Sequence, residues 1–71
     1  MAHIRIIHDP VGETLTVYWA DPEQEEVCEE VGQGIFLIKD ARGEVIGFER
    51  LYFESGTAPD ELGVVLQTAR T

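Results

Sequence analysis

The sequence predicts an α+β fold: a four- or five-stranded antiparallel β-meander followed by a short C-terminal helix. Short segments alternate apolar and polar residues at period two, which is typical of strands. Clusters of Gly, Pro and Asp separate these segments, as turns require. The 71 residues suit a single domain over 1–71. We expect the meander over 3–53 and a helix or an extra strand over 57–71.

The first two strands are predicted over residues 3–7 and 14–20. In the second of them, Leu15, Val17 and Trp19 alternate with two threonines and a tyrosine. The intervening Asp9-Pro10-Val11-Gly12 has the residues of a type I turn, since Pro presets φ at the second position and Asp caps the turn. The two segments are therefore expected to form an antiparallel hairpin.

The strongest predicted hairpin joins residues 35–39 to a long strand over 45–54. Residues 41–44, Ala-Arg-Gly-Glu, supply the turn between them. Upstream, the acidic residues 21–26 are expected to be a loop and 27–31 a weakly patterned strand. In the long strand, Gly47 is typical of a bulge or of a close approach by another group.

The C-terminal segment allows two interpretations. Pro59 followed by two acids is a helix start, and Leu62, Val65 and Leu66 would share one helical face. Residues 60–68 also have the composition of a strand. The helix is the preferred prediction.

Composition excludes several classes of protein. Five Lys and Arg against fourteen Asp and Glu give a net charge of −9, which disfavours binding to nucleic acid or to an anionic membrane. The sequence has no apolar run long enough to span a membrane as a helix and no signal-peptide pattern. With one cysteine, no intrachain disulfide can form, so the cytoplasm is the expected compartment. A chain this small then needs a metal or self-association for stability.

Apolar residues on both sides of the predicted C-terminal hairpin indicate that its second face is covered. A helix can cover part of it, and a second copy of the chain the rest, so a homodimer is expected. The alternative is that the helix suffices and the remaining apolar groups are scattered surface residues. The predicted apolar contact residues are Phe36, Ile38, Phe48 and Tyr52.

Residues 23–30 contain five acids in eight positions. Such a run is typical of a solvated loop and a strand edge protected from aggregation. The alternative is an electrostatic footprint for a basic protein partner, which would speed association. The acids assigned to this interaction surface are Glu25, Glu26, Glu29 and Glu30.

Few residues have the pattern of a chemical site. His8, Asp9 and Glu13 offer an imidazole and two carboxylates around one turn, a weak candidate for a metal site, although turn formation explains Asp9 better. Glu49 is expected in a cross-strand ion pair with Arg5 or Lys39 or as a strand-edge charge, with a functional acid as the alternative.

Cys28 is expected to be a buried or half-buried thiol. Its acidic neighbours should raise its pKa, which is the wrong direction for a nucleophile. A disulfide between subunits is the minor alternative. No cofactor is predicted.

The chain also resembles a family of small bacterial proteins, the domain of unknown function 2283. The matching motifs are Asp9-Pro10 with Glu13, the Leu15-Thr16-Val17 strand, Gly34 before its apolar strand, and Ile46-Gly47-Phe48-Glu49. The resemblance covers about residues 3–53. It departs from the family pattern at His8, at Glu13, where the acid is usually Asp, and at Gly32-Gln33. It implies a β-rich fold and, because some members are encoded beside toxin-like proteins, an antitoxin or partner-binding role.

Together these observations predict a small acidic, homo-oligomeric protein–protein interaction module. The alternative is a metal-dependent or acid–base enzyme that uses the turn around Asp9.

Overall fold

The computed structural model describes residues 3–54 and 61–70, and it shows a five-stranded, wholly antiparallel sheet. Neighbouring strands follow the order β1-β2-β5-β4-β3. The strands are β1 (Arg5–Asp9), β2 (Thr14–Tyr18), β3 (Val27–Gly32), β4 (Ile35–Lys39) and β5 (Val45–Arg50). Both predicted hairpins, β1–β2 and β4–β5, are confirmed.

The predicted meander is wrong in its connectivity, because β5 lies between β2 and β4. In a meander, β3 would occupy that central place. Its six residues are all exposed and include acids on both faces of the strand, Glu29 and Glu30. A central position would bury these charges, whereas an edge position leaves them in water. β5 is better suited to the central position, because its residues Ile46 and Gly47 are buried.

The predicted C-terminal helix is also wrong, and the fold is mostly β rather than α+β. Residues 61–70 have no regular secondary structure and are exposed throughout. The apolar residues of the predicted helical stripe stay in water, since Val65 and Leu66 are 89% and 90% exposed. An isolated helix of about ten residues is marginal in water, and Gly63 weakens it further. The predicted helix start at 57–60 lies outside the described residues.

A short connection carries the chain from β2 to the far edge of the sheet. Residues Pro22–Gln24 form one 3₁₀ turn, whose preceding Asp21 accepts a hydrogen bond from the Glu23 N–H at 2.9 Å. The Glu26 N–H then donates to the Lys39 carbonyl at 2.8 Å, which begins the pairing of β3 with β4. The predicted loop is therefore confirmed, with a single helical turn inside it.

A bulge in β5 adds one residue to the hydrophobic core. Ile38 pairs with Gly47 and Lys39 with Val45, so Ile46 has no partner on β4. The extra residue packs instead with Tyr18 and Ile38, and these three side chains form the buried apolar core among residues 3–54 and 61–70.

Gly47 permits this arrangement. A Cβ atom there would overlap the Val17 carbonyl oxygen and lie 3.2 Å from the Tyr18 Cα and Cδ1 atoms. The expected close approach at Gly47 is thereby confirmed.

The sheet has two unequal faces. The strand register places Thr16, Tyr18, Ile38 and Glu49 on one side, which we call the closed face because the β2–β3 connection contacts it through Glu25. We call the other side the open face. Its apolar residues, none of which is buried, are Ile6, Leu15, Val17, Trp19, Ile35, Leu37 and Phe48.

β5 ends four residues earlier than predicted. The Leu51 N–H donates to the Gly34 carbonyl at 2.7 Å, and Tyr52 adopts a left-handed φ of 57°. The chain then turns so that the Phe53 N–H donates to the Glu13 carbonyl at 2.8 Å. Within the described ranges, no helix is long and apolar enough to cross a membrane.

Candidate functional site

A small polar network lies on the closed face, and Glu25 is its centre. Tyr18 donates its hydroxyl to Glu25 Oε1 at 2.8 Å, and the Cys28 thiol donates to Glu25 Oε2 at 3.1 Å. One carboxylate from the β2–β3 connection thus joins β2 to the edge strand β3. Because both oxygens accept a hydrogen bond, the network orients the connection over the core.

This network raises the pKa values of both donors. Burial, followed by the hydrogen bond to Glu25, raises the pKa of Tyr18 to about 12. The hydrogen bond to Glu25, followed by partial desolvation of the thiol and by the charges of Glu25 and Glu49, raises the pKa of Cys28 to about 11. Each group is therefore held neutral, as a donor, at physiological pH.

The sequence prediction for Cys28 is correct in one part and wrong in another. The direction of its pKa shift is confirmed, although the acids responsible are Glu25 and Glu49 rather than its neighbours in sequence. Its burial was predicted wrongly, because Cys28 is exposed on the edge strand. A neutral thiol of this kind is a poor nucleophile.

Glu49 does not make the expected ion pair with Arg5 or Lys39. Its Oε2 accepts the Thr16 hydroxyl at 3.2 Å from the facing position on β2. Lys39 instead bonds Glu29 at 2.7 Å on the neighbouring strand. The half-buried carboxylate of Glu49 is thus held by a neutral donor.

The turn around Asp9 is a structural cap. Its Oδ1 atom accepts hydrogen bonds from the N–H groups of Val11 and Gly12, both at 3.0 Å. His8 packs edge-on against Phe53, with ring centroids 5.7 Å apart. In residues 3–54 and 61–70, no three His, Cys, Asp or Glu side chains lie close enough together to hold a metal ion. The structure therefore gives His8, Asp9 and Glu13 no shared site.

The open face presents the larger candidate surface. Trp19 is 46% exposed and packs at a tilt against Phe48, with ring centroids 6.4 Å apart, while its Nε1–H donates to the Val45 carbonyl at 3.1 Å. The indole is thereby fixed in place with half its surface in water. Next to Phe48, a shallow groove of about 460 Å³ is lined by Leu15, Phe48, Arg50, Tyr52, Phe53 and Glu54.

The structure separates the four predicted apolar contact residues. Phe36 and Ile38 belong to the closed face, and Ile38 is only 2% exposed, so it is a core residue. Phe48 lies on the open face, half-buried, and Tyr52 is 77% exposed beside the groove. Phe48 and Tyr52 are therefore the members of the set that a partner can reach together.

The four predicted acidic contact residues lie along one edge of the sheet and are all exposed. Glu29 and Glu30 are on β3, and Glu26 immediately precedes it. Glu25 is turned toward Tyr18 and Cys28, so it serves the network as well as the surface. The sheet thus has one strongly acidic edge.

Sequence reasoning missed Trp19 as a surface residue and Glu25 as a structural one. The alternation of Leu15, Val17 and Trp19 was the available signal for an apolar face. No local pattern signals the Tyr18–Glu25 bond, because it depends on the path of the connection between β2 and β3.

The accessible surface of the chain is large for its mass. It is 5791 Å² for 7.9 kDa, whereas a compact monomer of that mass exposes about 4,400 Å². The open face and residues 61–70 both contribute to the excess.

No protein-family model, curated protein or solved structure matches this chain. The resemblance to the domain of unknown function 2283 therefore stays a prediction.

Proposed function

We propose that the protein is a small acidic protein–protein interaction module that self-associates by burying its open face against the same face of a second copy. The observation that carries this proposal is the set of seven apolar residues on one side of the sheet, none of them buried in the protomer. A sheet with an apolar face is stable when a second layer covers it. An antitoxin-like role in the cytoplasm is the biological setting that we propose with it.

The aromatic pair on the open face supports this proposal. Trp19 and Phe48 are held by a hydrogen bond and by mutual packing, so little side-chain freedom is lost when a partner contacts them. Rigid aromatic anchors of this kind dominate binding energy at interfaces. Two copies related by a two-fold axis would each contribute the same pair.

Charge determines where a different protein would bind. The acidic edge formed by Glu26, Glu29 and Glu30 carries no apolar anchor of comparable size, and it suits a basic partner by steering its approach. Because each copy carries a net charge of −9, self-association should strengthen as salt is added. Binding of a basic partner at the acidic edge should weaken under the same conditions.

Sedimentation velocity, combined with fluorescence of the single tryptophan, tests the self-association. A concentration-dependent dimer whose Trp19 emission shifts to the blue supports burial of the open face. Phe48→Asp should shift the protein toward monomer and remove the blue shift.

Val11→Asp is the matched control, since it adds the same charge at a residue 94% exposed in the β1–β2 turn. Because Phe48 is half-buried, far-UV circular dichroism must show that the variant is folded. Trp19→Ser changes a more exposed position and provides a second test. Because this variant lacks the fluorophore, its association state is measured only by the mass from sedimentation velocity. A wild-type protein that stays monomeric at all concentrations and salt levels would refute the proposal.

A further inference from the structure

We infer that strand β1 forms a second contact between copies, in which two β1 strands pair antiparallel about a two-fold axis at Ile7. The pairing would extend the sheet from five strands to ten. This inference concerns the edge of the sheet and does not depend on the open-face contact.

The two edges of the sheet differ in their protection against pairing. β3 carries Glu29 and Glu30 in its middle and has a register irregularity between Glu30 and Gly32, and both features discourage edge-to-edge association. β1 has neither feature. Its centre is Ile6 and Ile7, which are 41% and 46% exposed. Unpaired N–H and C=O groups on such an edge are a template for another strand.

The sequence of β1 is complementary to itself in charge. The strand reads Arg5-Ile6-Ile7-His8-Asp9. With the two-fold axis at Ile7, Arg5 of each copy lies directly opposite Asp9 of the other. Each copy therefore contributes to two cross-strand pairs of opposite charge, which stabilise antiparallel pairing. A shift by one residue in either direction would remove both pairs.

The side chains at the two ends are available for this pairing. Asp9 uses Oδ1 for the turn hydrogen bonds, which leaves Oδ2 free to accept from a guanidinium group. Arg5 is exposed and forms no ion pair within the described part of the chain. Both residues also point to the same side of the sheet, as cross-strand partners must.

The distribution of charge over the sheet favours this edge over the other. β1 is separated from β3 by four strand spacings, roughly 19 Å. That distance is about two Debye lengths at physiological ionic strength, so the acidic run on β3 is largely screened at β1. Pairing through β1 places the two acidic edges at opposite ends of the ten-stranded sheet. Pairing through β3 would bring them together.

Cysteine cross-linking tests the register. In a Cys28→Ser background, Ile7→Cys places two thiols on the proposed two-fold axis, within reach of a disulfide. Val11→Cys is the control, because it is more exposed than Ile7 and four residues away. Random collision predicts faster cross-linking of V11C, whereas β1 pairing predicts faster cross-linking of I7C under mild oxidation.

A charge exchange tests the complementarity. R5E places two carboxylates opposite each other in its homodimer, and D9R places two guanidinium groups opposite each other. Each variant should self-associate about tenfold more weakly than wild type. An equal mixture of the two variants restores both opposite-charge pairs in the heterodimer. Native mass spectrometry should therefore show more than half of the dimers as heterodimer, which is the fraction that random pairing would give. Because D9R also removes the turn hydrogen bonds, the I7C comparison decides the matter if D9R fails to fold.

The outcomes separate this inference from the proposed function. I7C cross-linking no faster than that of V11C overturns β1 pairing, whatever the oligomeric state. Persistence of the I7C cross-link in a Phe48→Asp background supports β1 pairing even if the open-face contact is absent. With both contacts present, native mass spectrometry should show assemblies larger than a dimer, and Phe48→Asp should reduce them to a dimer.

Discussion

Replacement of Gly47 by alanine is expected to remove most of the stability of this protein. Gly47 is buried on β5, where β2 passes so close that a Cβ atom would overlap the Val17 carbonyl oxygen. The same atom would lie 3.2 Å from both the Tyr18 Cα and Cδ1 atoms. Two of the three contacts are with backbone, so a change of rotamer cannot relieve the overlap. The strands themselves must separate.

The expected magnitude follows from the kind of contact. Overpacking by one methyl group in a packed interior costs about 1–3 kcal/mol, and backbone contacts lie at the upper end. The displaced strand pair also includes Tyr18, one of three residues in the buried core. We therefore expect a loss of about 3 kcal/mol, against a total of about 3–5 kcal/mol for a chain of this size.

Urea unfolding followed by Trp19 fluorescence and circular dichroism measures this loss at a fixed protein concentration. Gly63→Ala is the control, since nothing lies within 4 Å of a Cβ atom there and its stability should be unchanged. A Gly47→Ala variant within about 0.5 kcal/mol of wild type would refute the packing of β2 against β5 as described, because an unstrained strand glycine gains stability on this substitution.

Three further predictions concern the polar network and the turn. Because the pKa values of Cys28 and Tyr18 are raised in the folded state, both neutral groups stabilise the fold fully below about pH 9, and this stabilisation is lost as pH rises to about 12. The melting temperature of the wild type should therefore fall between pH 9 and 12, and that of the C28S/Y18F variant should fall less steeply. At pH 8, Cys28 should react with a disulfide reagent about tenfold more slowly than a thiol of ordinary pKa, because its smaller thiolate fraction is partly offset by the greater nucleophilicity of a high-pKa thiolate. Glu25→Gln should accelerate the reaction, and equal rates in the native protein and in urea would contradict the network. Asp9→Ala should cost about 1 kcal/mol by thermal unfolding, whereas Asp9→Asn, which keeps the Oδ1 acceptor, should cost less. Stabilisation of the wild type by Zn²⁺, Mn²⁺, Mg²⁺ or Ca²⁺ that Asp9→Asn abolishes would instead indicate a metal site.

Local signals predicted the strands and turns well. The cap at Asp9 was read from Asp-Pro alone, because an Asx turn depends only on neighbouring backbone groups. The close approach at Gly47 was likewise anticipated from a glycine inside an apolar strand. These features involve a few adjacent residues, so their energetics are present in the sequence itself.

The candidate surfaces were harder to predict. Alternation showed that Phe36 and Ile38 share one face and that Phe48 lies on β5, but it did not show on which side of the sheet each would be exposed. The bulge at Ile46 and the path of residues 19–26 decided that Tyr18 and Ile38 would be covered and Trp19 left open. Neither depends on local sequence pattern.

The amino-acid sequence by itself determined that this protein is a small, acidic, strand-rich chain with hairpins at β1–β2 and β4–β5. Turn chemistry and side-chain alternation are local, so they are decided within each segment. Only the tertiary structure decided the placement of β5 beside β2, the exposure of residues 61–70 and the unequal faces of the sheet. Those outcomes depend on which non-local contacts bury Ile46 and keep the charges of β3 in water, and no single segment encodes that competition.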